Sequence, residues 1–163
     1  MYRPGHYGAA LLTYAPFGLF VSMTGYETAA VVGCVLAVGL STVPDYDYHV
    51  PLVEHRGPTH TLLFAVLVGI ALAGVTSALV GSDLAYAGLG VVAFAFAVGT
   101  LSIVSHLLAD LLTPAGIRPF WPLSNRRYTL DVTPASSTLA NYALLALGVL
   151  AIFVTAVGVS VLS

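Results

Sequence analysis

The sequence predicts an all-α protein, a polytopic membrane helix bundle of about five transmembrane segments with a polar site at one membrane face. Three observations predict it. Of 163 residues, 58% are hydrophobic and only 7% are charged, where a soluble domain carries about 25% charged residues. The apolar residues come in five long runs divided by short polar connections. The few ionisable residues gather where those runs end on one side. Such a chain is solvated by lipid.

A helix crosses the hydrocarbon with about 20 apolar residues, within a range of ~17–25. The expected spans are 7–23, 28–43, 61–80, 84–109 and 138–162. The first contains Pro16, which removes a helix hydrogen bond and is expected to kink it. "TGYE" at 24–27 is a tight connection to the second run. The first two runs are short and fit either a crossing hairpin or a re-entrant pair. The third follows Pro58, a residue suited to a first helical position. The fourth ends in "SHLLAD", and the fifth is an unbroken apolar run. Gly and Ala recur through the spans and allow close helix approach. There is no internal repeat and no linker-like stretch, so residues 1–163 read as a single integral membrane domain. The first run lacks a clear cleavage site, so a removable signal peptide is not expected.

Charge narrows the partners. The net charge is -2, and all five basic residues are arginines. The basic footprint of a nucleic-acid binder is missing. Cys34 is the single cysteine and supports no internal disulfide.

Five alternating spans put the N-terminus, the 44–60 connection and the 110–137 connection on one face. Of 17 ionisable residues, 15 then share that face, with Glu27 and Asp83 opposite. His6 opens span one, Asp45 and Asp47 follow span two, His60 opens span three and His106 closes span four. The arginines on that face make it cytoplasmic by the positive-inside rule.

In "SHLLADLLTPAG", His106 and Asp110 are four residues apart, on one side of a helix, and Thr113 continues the stripe. The pair fits a shared metal ion or a hydrogen-bonded helix end, and ionisable groups within membrane segments are functional by default. In "HRGPTH", Pro58 would put His60 in the first helical turn, where the dipole favours the neutral, metal-binding ring. Arg56 could clamp an anionic oxygen, or could simply reach for headgroups. In "PDYDYH", an extended chain would put Asp45 and Asp47 on one side, as metal ligands or a general base; a plain helix-stop turn also fits. Tyr46 and Tyr48 suit the interfacial aromatic belt. His49 and Glu54 are weaker candidates. His6 earns its place by standing level with the others. "RPFWPLSNRRY", 118–128, reads as an interface anchor or a phosphate-headgroup contact.

Taken together, the early Gly-His, "PDYD", "HRGPTH" and "SHLLADLLTPAG....WP" resemble the LexA-regulated, membrane-bound metal-dependent hydrolase family, the YdjM-like proteins. The resemblance runs in order to Pro122. It implies a multi-pass protein of the inner membrane with a metallohydrolase site. It nominates His6, Asp45, Asp47, His55, His60, His106 and Asp110 as metal-site residues, with Arg56 beside them. One position departs: family members often carry histidine directly after the second aspartate, where this chain has Tyr48, with His49 next. A more distant likeness to zinc-dependent phospholipase C and related nucleases favours zinc and phosphoesters.

The expected function is therefore a membrane-embedded metal-dependent hydrolase of a phosphoester or lipid-derived substrate. Asp45, Asp47 and Arg56 are the catalytic candidates. The cofactor is a divalent metal ion, zinc first and manganese second. Partners are the bilayer and a small-molecule or lipid substrate. A metal-ion transporter and a metal-clipped, non-catalytic scaffold are the alternatives.

Overall fold

The computed structural model describes residues 1–49, 55–80 and 87–162. Five α-helices dominate: α1 Arg3–Met23, α2 Glu27–Leu40, α3 Leu62–Val80, α4 Ala87–Leu111 and α5 Thr138–Leu162. Two 3-10 segments, Val43–His49 and Pro58–His60, lie between α2 and α3. No strand forms among the described residues; one isolated antiparallel bridge joins Ile117 to Tyr128. The 81–83 turn with Asp83, and Glu54, lie outside the described residues.

Among the described residues, four stretches are long and apolar enough to cross a membrane: Glu27–His49, Leu62–Leu79, Gly90–Leu111 and Thr138–Val161. The first helix is 21 residues long but is not among them, so four such stretches stand where about five were expected. Its surroundings explain the difference. α1 packs against α5, α2 and α4, and its buried side is made of small or polar residues such as Gly5, His6, Gly8, Ala9 and Tyr14. A helix sheltered by its neighbours does not need a lipid-facing apolar coat. By contrast, α5 turns Leu139, Leu147, Phe153 and Val161 outward.

The α1–α5 contact depends on close backbone approach. A Cβ on Gly8 would collide with the backbone of Leu144, and one on Gly148 with the carbonyl of Gly8. Small residues of this kind let membrane helices pack by direct van der Waals contact. Further along, Tyr14 packs with Ala37 and Val98, and its hydroxyl donates to the Ala30 carbonyl at 2.7 Å, so its polar end is satisfied inside the bundle.

Helix ends fix the depth of the polar residues. The second helix, 14 residues long, spans only about 21 Å at 1.5 Å per residue, and the chain continues into the 3-10 segment that carries Asp45 and Asp47. Thr61 is extended and caps α3: its hydroxyl accepts from Phe64 N at 3.1 Å and donates to the Pro58 carbonyl at 2.8 Å. His60 therefore sits in the 3-10 turn ahead of α3 rather than inside its first turn. α4 runs on to Leu111, so both His106 and Asp110 are helical. Beyond it, the chain doubles back: Leu130 N and Val132 N bond to the carbonyls of Leu111 and Leu112. Leu62 N bonds to Pro119 O, tying this return segment to the start of α3.

Candidate metal centre

Four elements deliver side chains to one buried cluster. His6 comes from the first turns of α1, Asp45 from the 3-10 segment after α2, His60 from the turn before α3, and His106 and Asp110 from the last turns of α4. His6, His60 and His106 are fully buried, and Asp110 is nearly so. Asp45 is 29% exposed and is the cluster's open side.

Hydrogen-bond bookkeeping fixes the protons. His106 Nδ1 is 2.8 Å from the Ser41 carbonyl, which can only accept, so Nδ1 carries the hydrogen. Thr59 spends its one hydroxyl hydrogen on Asp47 Oδ2 at 2.8 Å. Its oxygen, 2.9 Å from His60 Nδ1, is left to accept, so His60 Nδ1 is also the protonated nitrogen. Both Nε2 atoms are then bare lone pairs, and they face each other at 3.0 Å. Burial pushes the His60 pKa below its ordinary value, so a proton is a poor bridge between them. A metal ion is a good one.

The carboxylates complete the cage. Asp45 Oδ1 is 3.6 Å from His60 Nε2 and 3.7 Å from His106 Nε2, while Asp110 Oδ2 is 3.6 Å from each. Ligand atoms around a tetrahedral zinc ion with bonds of ~2.0–2.2 Å stand about 3.3–3.6 Å apart. Among the described residues, three overlapping triads have ligand atoms within 4.8 Å of one another: His6, Asp45 and His106; Asp45, His55 and His60; His60, His106 and Asp110. These groups could hold a metal ion. His6 packs against this cage. Its ring stacks on His106 at 3.9 Å, its Nε2 donates to the Met1 carbonyl at 3.0 Å, and its buried Nδ1 has no hydrogen-bond partner among the described residues.

Asp45 and Asp47 do not share a side. The segment is 3-10 rather than extended, with three residues per turn, so aspartates two apart diverge. Asp47 is buried against the other histidine pair: Oδ1 accepts from His55 Nδ1 at 2.8 Å, and Oδ2 lies 3.4 Å from His60 Nδ1. A carboxylate on the far nitrogen of a ligand histidine orients the ring and raises its basicity. Tyr48 lies against the His55 ring at 3.8 Å between centroids. His49 is exposed beside Tyr46 and stays out of the cluster.

Arg56 binds the site from outside. Its φ of 63° is left-handed, a conformation that costs a non-glycine residue energy and persists where surroundings enforce it. Its N–H donates to Asp47 Oδ2 at 3.3 Å, and Nη1 donates to Thr113 Oγ1 and the Gly116 carbonyl, both at 3.1 Å. Nη2 donates to Asp110 Oδ1 at 3.2 Å, and the Met1 amino group bonds to the same oxygen. Asp110 thus offers one oxygen to cations of the protein and the other to the two bare imidazole nitrogens.

A family model described as YdjM inner membrane protein matches residues 1–162. The chain belongs to that family. No curated protein and no solved structure matches it. Membership in the YdjM family and four apolar stretches of crossing length among the described residues support a multi-pass location in the inner membrane.

Several partners in the YdjM-family cluster carry no sequence signal. Thr59 and the Ser41 carbonyl set the tautomers of His60 and His106. Asn141 anchors the N-terminus, accepting from Tyr2 N at 2.9 Å while donating to the Ala135 and Ser137 carbonyls. Each is a polar residue in an apolar helix or turn, and only the fold reveals what it touches.

Proposed function

We propose that the protein is a membrane-embedded metal-dependent hydrolase of a phosphoester or lipid-derived substrate. The observation that carries this reading is the pair of bare Nε2 atoms of His60 and His106, 3.0 Å apart, with a carboxylate oxygen of Asp45 and another of Asp110 at cage distance. Imidazoles and carboxylates together suit zinc, with manganese second. A divalent ion held there supplies Lewis acidity and makes a water nucleophile available at neutral pH.

The residues divide the work. His60, His106 and Asp110 form the buried floor of the site, and His6 closes it on the α1 side. Asp45 faces solvent, within reach of entering water, and suits the role of proton acceptor. Asp47 orients His55 and His60. Arg56 suits compensation of negative charge that develops on the substrate. The partly open Asp45 edge favours catalysis over a structural clip, because structural metal sites are closed by protein ligands. The depth of the cluster, at helix ends instead of mid-span, disfavours a transport site, since carriers bind their cargo near the bilayer midplane. By the positive-inside rule the site opens to the cytoplasm.

The test is hydrolysis by detergent-purified protein of a panel of phosphodiesters and phospholipids, with zinc or manganese supplied and then chelated. Metal-dependent turnover that disappears in Asp45→Asn is the expected result. Metal-loaded protein that cleaves nothing in the panel but carries metal ions across proteoliposome membranes would replace this reading with transport.

A further inference from the structure

Three of the chain's five arginines meet at one place that borders the metal cluster. Arg56, Arg118 and Arg127 line a cavity of about 160 Å³ together with His55, Gly116 and Ile117. Among the described residues, no carboxylate lines it. The convergence is built into the backbone. Ile117 and Tyr128 exchange two hydrogen bonds of 2.9 Å in their antiparallel bridge, which brings their neighbours Arg118 and Arg127 opposite each other although eight residues separate them. Gly116 makes that approach workable: it has a φ of +60°, and a Cβ there would strike the Tyr128 carbonyl. On the other wall, Arg56 is locked by the four hydrogen bonds described above. Arg126 takes no part. It stands over the Tyr128 ring at 5.3 Å and does not line the cavity.

We propose that this cavity is a phosphate-binding subsite that holds the phosphate group of the substrate next to the metal cluster. The claim rests on the hydrolase reading for the word substrate, but phosphate binding itself does not need the metal. Guanidinium groups are planar forks matched to phosphate oxygens, and they bind these oxygens more strongly than neutral donors do. The cavity volume is that of roughly five waters at ~30 Å³ each, enough for a phosphate ester headgroup. Arg56 and His55 belong to both places: His55 is in a candidate metal triad, and Arg56 holds Asp110. An anion drawn into the arginines therefore comes to rest beside the cluster. The return segment that carries Arg118 and Arg127 also exposes Phe120, Trp121 and Leu123, apolar and aromatic groups of the kind that settle at a membrane interface. A phosphate can reach the cavity from a lipid headgroup or from a soluble ester.

Inorganic phosphate titrated calorimetrically into chelator-treated, detergent-purified protein is the first arm. The second compares thermal midpoints in nanodiscs of phosphatidylcholine with and without phosphatidic acid. Binding in either arm is expected to fall about tenfold or more in Arg127→Gln and in Arg118→Gln, with Arg126→Gln unchanged and metal content unchanged in all three. Response to phosphatidic acid alone assigns the subsite to lipid headgroups; response to free phosphate assigns it to soluble esters as well. The proposal is overturned if neither probe binds, or if Arg126→Gln weakens binding as much as Arg127→Gln does. Failure of hydrolysis with phosphate binding intact would count against the enzyme and leave the subsite standing.

Discussion

Asp47 accepts a hydrogen bond from His55 Nδ1 at 2.8 Å, and its second oxygen takes one from Thr59 at 2.8 Å. A single carboxylate therefore sets the orientation of two histidines, His55 directly and His60 through Thr59. Asparagine supplies only one acceptor oxygen, and its amide N–H₂ would meet a hydroxyl or N–H already pointing inward. Asp47→Asn is expected to weaken metal affinity by ~10–100-fold, the usual effect of an outer partner. Asp110→Asn removes charge from an oxygen facing both bare imidazoles and should cost more. Competition with a metallochromic indicator measures both. Equal losses in the two variants would contradict the division between orienting and ligating carboxylates.

The α1–α5 crossing couples packing to the site, because α1 carries His6. Gly8→Val forces a side chain into the Leu144 backbone, and overpacking of this kind costs about 1–3 kcal/mol. The variant is expected to show a lower thermal midpoint in detergent and reduced metal occupancy together. Gly39→Val, at a position with nothing within 4 Å of the added Cβ, should change neither. A Gly8→Val protein as stable as the parent would show that the helices tolerate separation.

Stability should depend on pH through His60. Its folded-state pKa lies below the unfolded value because burial disfavours the imidazolium. As pH falls through about 6.5 the unfolded chain takes up the proton first, so stability present above that pH is lost on acidification. Metal-free protein is expected to melt at a lower temperature at pH 5.5 than at pH 7.5, with a smaller difference in His60→Gln. Identical differences in the two proteins would mean that His60 does not titrate on unfolding.

Much of this molecule is legible in its sequence. The long apolar runs give α3, α4 and α5 within a few residues, and the four-residue spacing of His106 and Asp110 gives their shared helix side. α1 reads less well because neighbouring helices, not lipid, surround it, and hydropathy measures only suitability for lipid. The relation between Asp45 and Asp47 stays open between an extended chain and a helix-stop turn, because turn residues do not distinguish a strand from the 3-10 segment that forms. The cavity of Arg56, Arg118 and Arg127 depends on a two-residue bridge and a left-handed glycine, which no periodicity announces. The tautomers of His60 and His106 depend on Thr59 and on a backbone carbonyl, and so are visible only once the chain is folded.

Bare imidazole nitrogens and carboxylates from separate segments are arranged to grip a common cation. Metal analysis of detergent-purified protein tests this most directly, comparing the parent with a His60→Ala/His106→Ala variant that keeps its helical circular dichroism and elutes as a single species. Stoichiometric zinc or manganese in the parent and its loss from the variant are the expected results. A parent that stays metal-free when both ions are supplied, or a variant that retains the parent's metal content, would contradict this reading.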